Sequence, residues 1–268
     1  MYPEAMSDTV ILEGLHALKH ALRFSADVCE ILTDDLDKAL TTADTVAPEL
    51  RPMLESRAQV VSQTEFRGLT RQPVHTHVVA YAIRPEYSPA QAMPTAERPT
   101  VLLDDPRNTK NLGAVVRVGA AAGASGILAN GNVDFFDPMA VRGAAGLQWA
   151  LPCVSSPRLM EDLDESAGGD GSSWPISARK NRPHWLGFTL VGLDADGTPF
   201  DPGSFPGPVI FAFGSERTGL SDEVRTRCDQ IVSLPMTPHV SSLNLATSVS
   251  AVLYLRIYAT FNGRDSLG

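Results

Sequence analysis

Hydrophobic residues along this chain follow two alternating spacings. Short apolar runs rich in branched and aromatic residues predict strands, and longer segments with apolar residues at every third or fourth position predict helices. Up to residue 84, the pattern predicts a frayed end over 1–10, helices over 12–24, 48–56 and 63–69, and strands over 29–32, 59–62 and 78–83. From residue 100, it predicts strands over 100–103, 126–129, 151–154, 188–193, 209–213 and 231–234, a turn over 194–197, and helices over 111–122, 137–146, 157–163 and 243–261.

This alternation predicts an α/β protein with two domains. After residue 100, strands and helices alternate regularly, which favours a mostly parallel, three-layered α/β sheet. Residues 85–99 are rich in proline and poor in apolar side chains, as is typical of an extended, semi-rigid linker. We therefore divide the chain into a small α/β domain over 1–84, a linker over 85–99 and a second α/β domain over 100–268.

Composition narrows the class of protein. With 268 residues, 43% of them apolar, the chain is long enough to bury a sizeable core. It contains no apolar run of membrane-spanning length and no charged-then-apolar leader, so we expect no membrane partner. The cysteines, Cys29, Cys153 and Cys228, are scattered, which favours a reduced, cytoplasmic protein with buried thiols over disulfides or metal ligands.

Charge argues against one class of function. The formal net charge of −9 disfavours broad, nonspecific nucleic-acid binding, which needs a basic surface. A local basic patch is still compatible with RNA. The densest basic cluster, Arg179, Lys180 and Arg182, follows a Gly/Ser-rich stretch and is interpreted either as a solvated loop or as a contact to an RNA backbone.

Two polar loops follow two of the predicted C-terminal strands. The first, over 214–219, has a glycine at each end and carries Glu216. The second carries His239, Ser241 and Ser242 just before the last helix. In open α/β sheets, ligands bind in crevices outside the carboxyl ends of the strands. The sequence therefore predicts a site at this pair of loops.

Several polar residues near these loops also have a purely structural interpretation. Arg117 is a lone charge in an apolar helix, so it either faces a site or forms a buried salt bridge with a partner such as Glu216. Asn111 would cap its own helix, and Ser242 and Asn244 would cap the last helix. The chain has no Gly-x-Gly-x-x-Gly or Gly-Lys-Ser/Thr sequence, which argues against the common dinucleotide and triphosphate sites.

Three motifs together resemble the SPOUT class of RNA methyltransferases, specifically its SpoU/TrmH branch of ribose 2′-O-methyltransferases. They are NLGAVVR at 111–117, FGSERTGL at 213–220, and LPM at 234–236 with SSLNLATSVS at 241–250. The segments EGLHALKHAL at 13–22 and LTRQPVHTHVVAYA at 69–82 resemble the small, ribosomal-protein-like substrate-binding domain that precedes many SpoU catalytic domains. Two loops depart from the family pattern, since His75-Thr76-His77 replaces His-Gln-Gly and Asn108-Thr109-Lys110 replaces Asp-Pro-Gly.

The resemblance implies a C-terminal SPOUT α/β domain with a deep trefoil knot, and a homodimer whose interface runs along the knot. It also implies a metal-free site for S-adenosyl-L-methionine against Gly214, Leu234, Met236 and Leu243, mostly through backbone groups. Gly214 would otherwise be only a turn residue. The implied reaction transfers a methyl group to a ribose 2′-hydroxyl of RNA, with ribosomal RNA preferred over transfer RNA because of the extra N-terminal domain.

The catalytic residues implied by the resemblance are Arg117, Asn111, Glu216, Ser242 and Asn244. A ribose hydroxyl is a poor nucleophile, so a protein group must remove its proton or stabilise its developing charge. Because a guanidinium hardly deprotonates in proteins, we favour an electrostatic role for Arg117 over action as a base. Two other functions stay open: a catalytically silent RNA-binding relative, and a SPOUT enzyme that methylates a base.

Overall fold

The computed structural model describes residues 8–166, 187–240 and 242–265. Its helices are α1 (Leu15–Arg23), α2 (Leu36–Val46), α3 (Arg51–Arg57), α4 (Gln63–Gly68), α5 (Thr109–Ala121), α6 (Pro138–Ala144), α7 (Leu159–Ser166), α8 (Asp222–Arg227) and α9 (Leu245–Asp265). Its strands are β1 (Thr9–Glu13), β2 (Val28–Thr33), β3 (Ala58–Val60), β4 (Val79–Ile83), β5 (Thr100–Asp104), β6 (Gly126–Asn130), β7 (Cys153–Ser156), β8 (Thr189–Pro199), β9 (Val209–Phe213) and β10 (Gln230–Ser233). Ser241 and the basic cluster of Arg179, Lys180 and Arg182 lie outside the described residues.

The chain divides into two compact units. One comprises Met1–Glu86 and Phe136–Ala150, and the other comprises Tyr87–Phe135 and Leu151–Gly268. The first unit contains a four-stranded sheet of order β1-β4-β2-β3, in which β4 is antiparallel to both of its neighbours and β3 is parallel to β2. A buried cluster under this sheet is formed by Leu32, Phe66, Val79 and Tyr81.

The start of the chain differs from the prediction. A frayed end over 1–10 is wrong for Thr9 and Val10, and a helix over 12–24 is wrong for its first residues, because β1 pairs with β4 over its whole length. Gly14 follows with a φ of 91°, which lies outside the helical region, so α1 begins only at Leu15. Pairing with a distant strand outweighs the local helical spacing here, and spacing alone does not reveal that partner.

Residues 136–150, which the sequence-based division assigns to the second domain, pack within the first unit instead. The His20 Nδ1 atom donates a hydrogen bond to the Ala145 carbonyl at 2.8 Å, and Arg142 forms an ion pair with Glu13 at 3.1 Å. Burial raises the pKa of the Glu13 carboxyl, and Arg142 opposes that rise. These contacts join residues more than 120 positions apart, so they leave no local pattern in the sequence.

In the second unit, a six-stranded sheet has the order β10-β8-β9-β5-β6-β7, and all of its described pairings are parallel. This confirms the predicted parallel α/β sheet. One face of the sheet packs with α7 and α8 in a buried cluster. On the other face, α5 lies so close that a Cβ on Gly119 would be 2.7 Å from Ile127 Cδ1, and α9 packs against α5. The unit therefore has three layers.

The segment predicted as a linker is largely part of the second unit, which begins at Tyr87. It contains a short 3₁₀ turn, Pro89–Ala92, and Ala92 is buried in the core of the unit. The Thr100 hydroxyl donates a hydrogen bond to the Ala92 carbonyl. The proline content indicates an irregular backbone, and the backbone here is irregular. The burial of Ala92 nevertheless packs this stretch against the core of the second unit.

Three further details correct the sequence analysis. The turn predicted over 194–197 is wrong, because β8 continues through it to Pro199. The last helix begins at Leu245 rather than at residue 243. Cys29 is exposed, although Cys153 is buried, and burial raises the pKa of the Cys153 thiol.

Candidate functional site

A cleft of about 430 Å³ lies at the carboxyl ends of β9 and β10, where the two polar loops emerge, and beside the middle of β8. All residues named above as contacts for a methyl donor line it, namely Gly214, Leu234, Met236 and Leu243. The polar residues Glu216, Ser242 and Asn244 line it as well. The remaining lining residues are Leu193, Asp194, Ala195, Phe213, Ser215, Arg217, Gly219, Leu245 and Ser248.

The loop that follows β9 is closed on itself. Ser215 and Gly219 exchange two backbone hydrogen bonds of 3.0 and 3.1 Å, and the hydroxyls of Ser215 and Thr218 are 2.7 Å apart. A Cβ on Gly214 would lie 2.0 Å from the carbonyl carbon of Gly219, so only glycine permits this closure. The tight base of the loop leaves Glu216 exposed at its tip, beside the cleft.

A hydrogen-bonded chain of three polar side chains joins the three sequence motifs. The Asn111 Nδ2 atom donates to Glu216 Oε1 at 2.5 Å, and the Asn244 Nδ2 atom donates to Asn111 Oδ1 at 3.0 Å. Asn244 also caps α9, because its Oδ1 atom accepts hydrogen bonds from the backbone of Ala246 at 3.0 Å and Thr247 at 3.4 Å. The capping interpretation of Asn244 is thus confirmed, and its amide group still reaches the other motifs.

The capping interpretations of Asn111 and Ser242 are wrong. α5 begins at Thr109, and its cap is Asn108, whose side chain accepts from the Lys110 N–H at 3.0 Å. Because the cap is already supplied three residues earlier, the side chain of Asn111 is available for Glu216. Ser242 is exposed beside the cleft, and its side chain makes no hydrogen bond to any residue that the structure describes.

Arg117 is exposed on α5, and within the described ranges it forms neither an ion pair nor a hydrogen bond. The alternative interpretation of Arg117, a buried salt bridge with a partner such as Glu216, is therefore wrong. Helix geometry explains the difference, because six residues separate Arg117 from Asn111, which amounts to roughly 9 Å along the axis and about 120° around it. Of the two side chains, Asn111 is the one that contacts the Glu216 carboxylate. Arg117 also does not line the cleft.

One wall of the cleft was not anticipated from the sequence. Leu193, Asp194 and Ala195 come from the part of β8 that was predicted as a turn. Arg225 on α8 donates a hydrogen bond of 2.7 Å to Asp194 and two of 2.8 Å to Asp196. The hydrogen bond from Arg225 lowers the pKa of the Asp196 carboxyl below its ordinary value. An Asp-x-Asp sequence after a strand also fits a turn, and nothing local points to an arginine about thirty positions away.

The part of the chain that the structure describes contains neither a metal-binding cluster nor a membrane-spanning helix. No cluster of three or more His, Cys, Asp or Glu side chains is placed to hold a metal ion there. Nor does that part contain a helix with both the length and the apolar character required to cross a membrane.

Comparison with known sequences identifies a family. A sequence model described as the SpoU rRNA Methylase family matches residues 98–254, which is more than half of the chain. The chain is 34% identical over 171 residues to a 23S rRNA (uridine(2479)-2′-O)-methyltransferase of Streptomyces viridochromogenes, covering 62% of this chain and 54% of that protein. It is 31% identical over 245 residues to an uncharacterized tRNA/rRNA methyltransferase of Mycobacterium ulcerans, covering 88% of this chain and 69% of that protein. The chain spans about half the length of several curated relatives that it matches.

Comparison with solved structures agrees over nearly the whole chain. The crystal structure of the SpoU methyltransferase AviRb from Streptomyces viridochromogenes, in complex with the cofactor AdoMet, superposes with a TM-score of 0.73 at 25% identity, covering 95% of this chain and 91% of that one. An AdoMet-bound rRNA methyltransferase from Sinorhizobium meliloti shares the fold, with a TM-score of 0.70 at 21% identity over 94% of this chain and 87% of that one.

Proposed function

The chain belongs to the SpoU rRNA methylase family, and from that premise we propose that it transfers a methyl group from S-adenosyl-L-methionine to a ribose 2′-hydroxyl of RNA. The observation that carries the proposal is the hydrogen-bonded chain of Asn111, Glu216 and Asn244 beside the cleft. These residues come from three motifs that lie up to 133 positions apart, and they converge at the carboxyl ends of parallel strands.

The cleft fits the proposed cofactor in size and chemistry. Its volume of about 430 Å³ falls within the range of small-molecule sites, roughly 300–1,000 Å³. Leu234, Met236 and Leu243 give it apolar surface against which an adenine ring packs, and Gly214 leaves backbone groups accessible. When bound, S-adenosyl-L-methionine supplies a methyl group on a sulfonium, which needs alignment with an acceptor oxygen rather than covalent help from the protein.

Arg117 is the residue that we assign to charge stabilisation. A ribose oxygen gains negative charge as it forms a bond to the methyl carbon, and a guanidinium held near it lowers the barrier. An arginine without a partner in the described structure has its full hydrogen-bonding fork available for a phosphate or an alkoxide. Glu216 and Asn111 orient the substrate, and Ser242 and Asn244 complete the polar ring.

We assign ribosomal RNA as the substrate in preference to transfer RNA. The 23S rRNA 2′-O-methyltransferase among the relatives supports this choice. The first unit, over Met1–Glu86 and Phe136–Ala150, is proposed to be the ribosomal-protein-like part that binds the substrate. Since its substrate would be ribosomal RNA, we expect the protein in the cytoplasm.

We further propose that the C-terminal part of the second unit forms the deep trefoil knot of the SPOUT fold and that the protein is a homodimer. The likeness to AviRb supports the knot. Exposed apolar side chains on α9, Tyr254, Leu255 and Tyr258, support a second copy covering that helix. Light scattering should give twice the monomer mass of 28.7 kDa. A Tyr254→Glu, Tyr258→Glu double variant should be monomeric, and a parent protein that is itself monomeric at micromolar concentration would refute the dimer.

The decisive experiment measures the product of the reaction. Purified protein is incubated with S-adenosyl-L-methionine and unmodified ribosomal or transfer RNA, and the digested nucleosides are analysed by mass spectrometry. We expect a 2′-O-methylated nucleoside from ribosomal RNA, and none from an Arg117→Ala variant. A methylated base would identify a different SPOUT activity. Binding of RNA without cofactor binding or transfer would identify a catalytically silent relative.

A further inference from the structure

In the wall of the cleft formed by Leu193, Asp194 and Ala195, strand pairing holds Leu193 but neither of the two residues that follow. On one side, β8 pairs with β10 at Gly192 opposite Ile231, and the next pair is Thr198 opposite Val232. On the other side, the pairing of β8 with β9 ends at Leu193 opposite Phe213. Residues 194–197 therefore have no ladder partner on either side, although two of them face or adjoin the cleft.

Besides a hydrogen bond of 2.9 Å from Ser233 Oγ to the Gly197 carbonyl, this segment is supported by Arg225. Its Nη1 atom donates to Asp194 Oδ2 at 2.7 Å, and its Nη2 atom contacts both carboxylate oxygens of Asp196 at 2.8 Å. One guanidinium thus bridges the residues on either side of Ala195, which lines the cleft. Charge-assisted hydrogen bonds of this length, several to one planar fork, restrict geometry more than a single ion pair does.

The helix that carries Arg225, α8, is anchored to the sheet by a hydrogen bond and by core packing. Ser221 caps α8, and its backbone N–H donates to Asp104 Oδ2 at 2.6 Å. Asp104 is buried at the carboxyl end of β5, and Val224, next to Arg225, is fully buried in the core of the second unit. The guanidinium is therefore carried by a helix anchored in the core, and it contacts a segment without strand pairing.

We propose that Arg225 is a positioning residue for the cofactor: by bridging Asp194 and Asp196 it fixes the wall of the cleft and thereby sets the affinity for S-adenosyl-L-methionine. This inference rests on the proposed function. A wall that is already ordered loses little conformational entropy when a ligand binds, whereas a mobile wall must be ordered at the expense of affinity.

The effect should be on binding and not on the chemical step. The hydrogen-bonded chain of Asn111, Glu216 and Asn244 is built from the loop after β9 and from α5 and α9, none of which Arg225 contacts through a hydrogen bond. A bound cofactor should consequently meet the same acceptor geometry in the variant as in the parent. A change in dissociation constant with an unchanged rate at saturation distinguishes this role from a general loss of structure.

The test compares Arg225→Gln with Arg227→Gln, a matched substitution on the same helix. Arg227 pairs with Glu223 at 3.2 Å and does not line the cleft. For Arg225→Gln we expect the dissociation constant of S-adenosyl-L-methionine, measured by calorimetry, to rise about tenfold. The single-turnover rate at saturating cofactor should stay within about twofold of the parent. For Arg225→Lys, the dissociation constant should lie between those of the parent and Arg225→Gln, because an ammonium can hold one carboxylate but not bridge both. Arg227→Gln should bind like the parent.

A second variant guards against misfolding of the first. The side chain of Asp196 is 68% exposed, so Asp196→Asn weakens this arm of the bridge, by removing its charge and one of its two acceptor oxygens, without disturbing the core. It should also weaken cofactor binding and accelerate backbone amide exchange over 193–197, while exchange in β9 stays unchanged. Parent-like affinity in both Arg225→Gln and Asp196→Asn would overturn the positioning role and leave the proposed function standing. A parent protein that does not bind S-adenosyl-L-methionine would overturn both.

Discussion

Replacing Arg117 by alanine separates a catalytic role from a structural one, because the two roles predict opposite combinations of stability and activity. A buried ion pair would lose about 3–5 kcal/mol of stability when one partner is removed. The structure argues against that outcome, since Arg117 is exposed and, within the described ranges, has no ion-pair or hydrogen-bond partner.

The expected magnitudes follow from this environment. Substitution of an exposed residue away from special contacts changes stability by no more than about 0.5 kcal/mol. For a chain of this length, that corresponds to a shift in Tm of roughly 2 °C or less. If Arg117 stabilises developing charge on the acceptor oxygen, its loss should lower the transfer rate by about 10²–10³-fold. Cofactor affinity should be unchanged, because Arg117 does not line the cleft.

Thermal melting, calorimetry with S-adenosyl-L-methionine and single-turnover transfer to RNA should be measured on the same preparations. Arg117→Lys should also lose most of its activity, because lysine lacks the planar fork that holds two oxygens at once. Arg158→Ala, which removes an exposed arginine that pairs with Glu161, is the control and should keep parental activity. An Arg117→Ala protein that transfers methyl groups at nearly the parental rate, or that melts several degrees lower, would refute the reasoning.

Three further predictions concern the loops and the last helix. Asn111→Asp should sharply reduce methyl transfer, because it places a second carboxylate against Glu216 where an amide now donates at 2.5 Å. Asn111→Ala is the uncharged comparison, and equal activity in the two variants would contradict charge repulsion as the cause. Gly214→Val should abolish cofactor binding in calorimetry with little change in circular dichroism, because a Cβ would lie 2.0 Å from the Gly219 backbone; parental affinity would mean that the loop does not form the site. Arg256→Met should lower the free energy of unfolding by roughly 2–5 kcal/mol in denaturant titrations, because the carbonyls of Ala96, Phe205 and Gly207 would lose a buried donor; an unchanged midpoint would refute this.

The parallel sheet was predictable because its strands are buried on both faces. β9 is apolar at every position and β5 at its three central positions, and such short, continuous runs stand out from the helical spacing between them. Helix caps were predictable only in part, because Asn244 caps α9 as the sequence indicates, whereas Asn108 rather than Asn111 caps α5.

Elements whose position depends on distant parts of the chain could not be predicted from local sequence patterns. β1 exists because β4 lies beside it, and α6 packs in the first unit through contacts to His20 and Glu13. The pattern of α6 is helical wherever it packs, so the sequence predicts the helix but not its neighbours. The bulged end of β8 is a similar case, because the side chain that donates hydrogen bonds to its Asp194 and Asp196 is Arg225, about thirty positions away in the sequence.

The motif residues divide into two physical groups that a sequence comparison treats alike. Asn111, Glu216 and Asn244 satisfy one another, so in the free protein they already cross-link α5, the loop after β9 and the start of α9. Arg117 and Ser242 make no hydrogen bond to any described residue, and both are exposed. Side chains that already hydrogen-bond to one another hold a site in shape, so binding a ligand costs no further ordering of them. Side chains without such a bond keep all their hydrogen-bonding groups for the ligand. The cross-linked residues should therefore fix where RNA and cofactor meet, and loss of Arg117 should affect the rate after they have met.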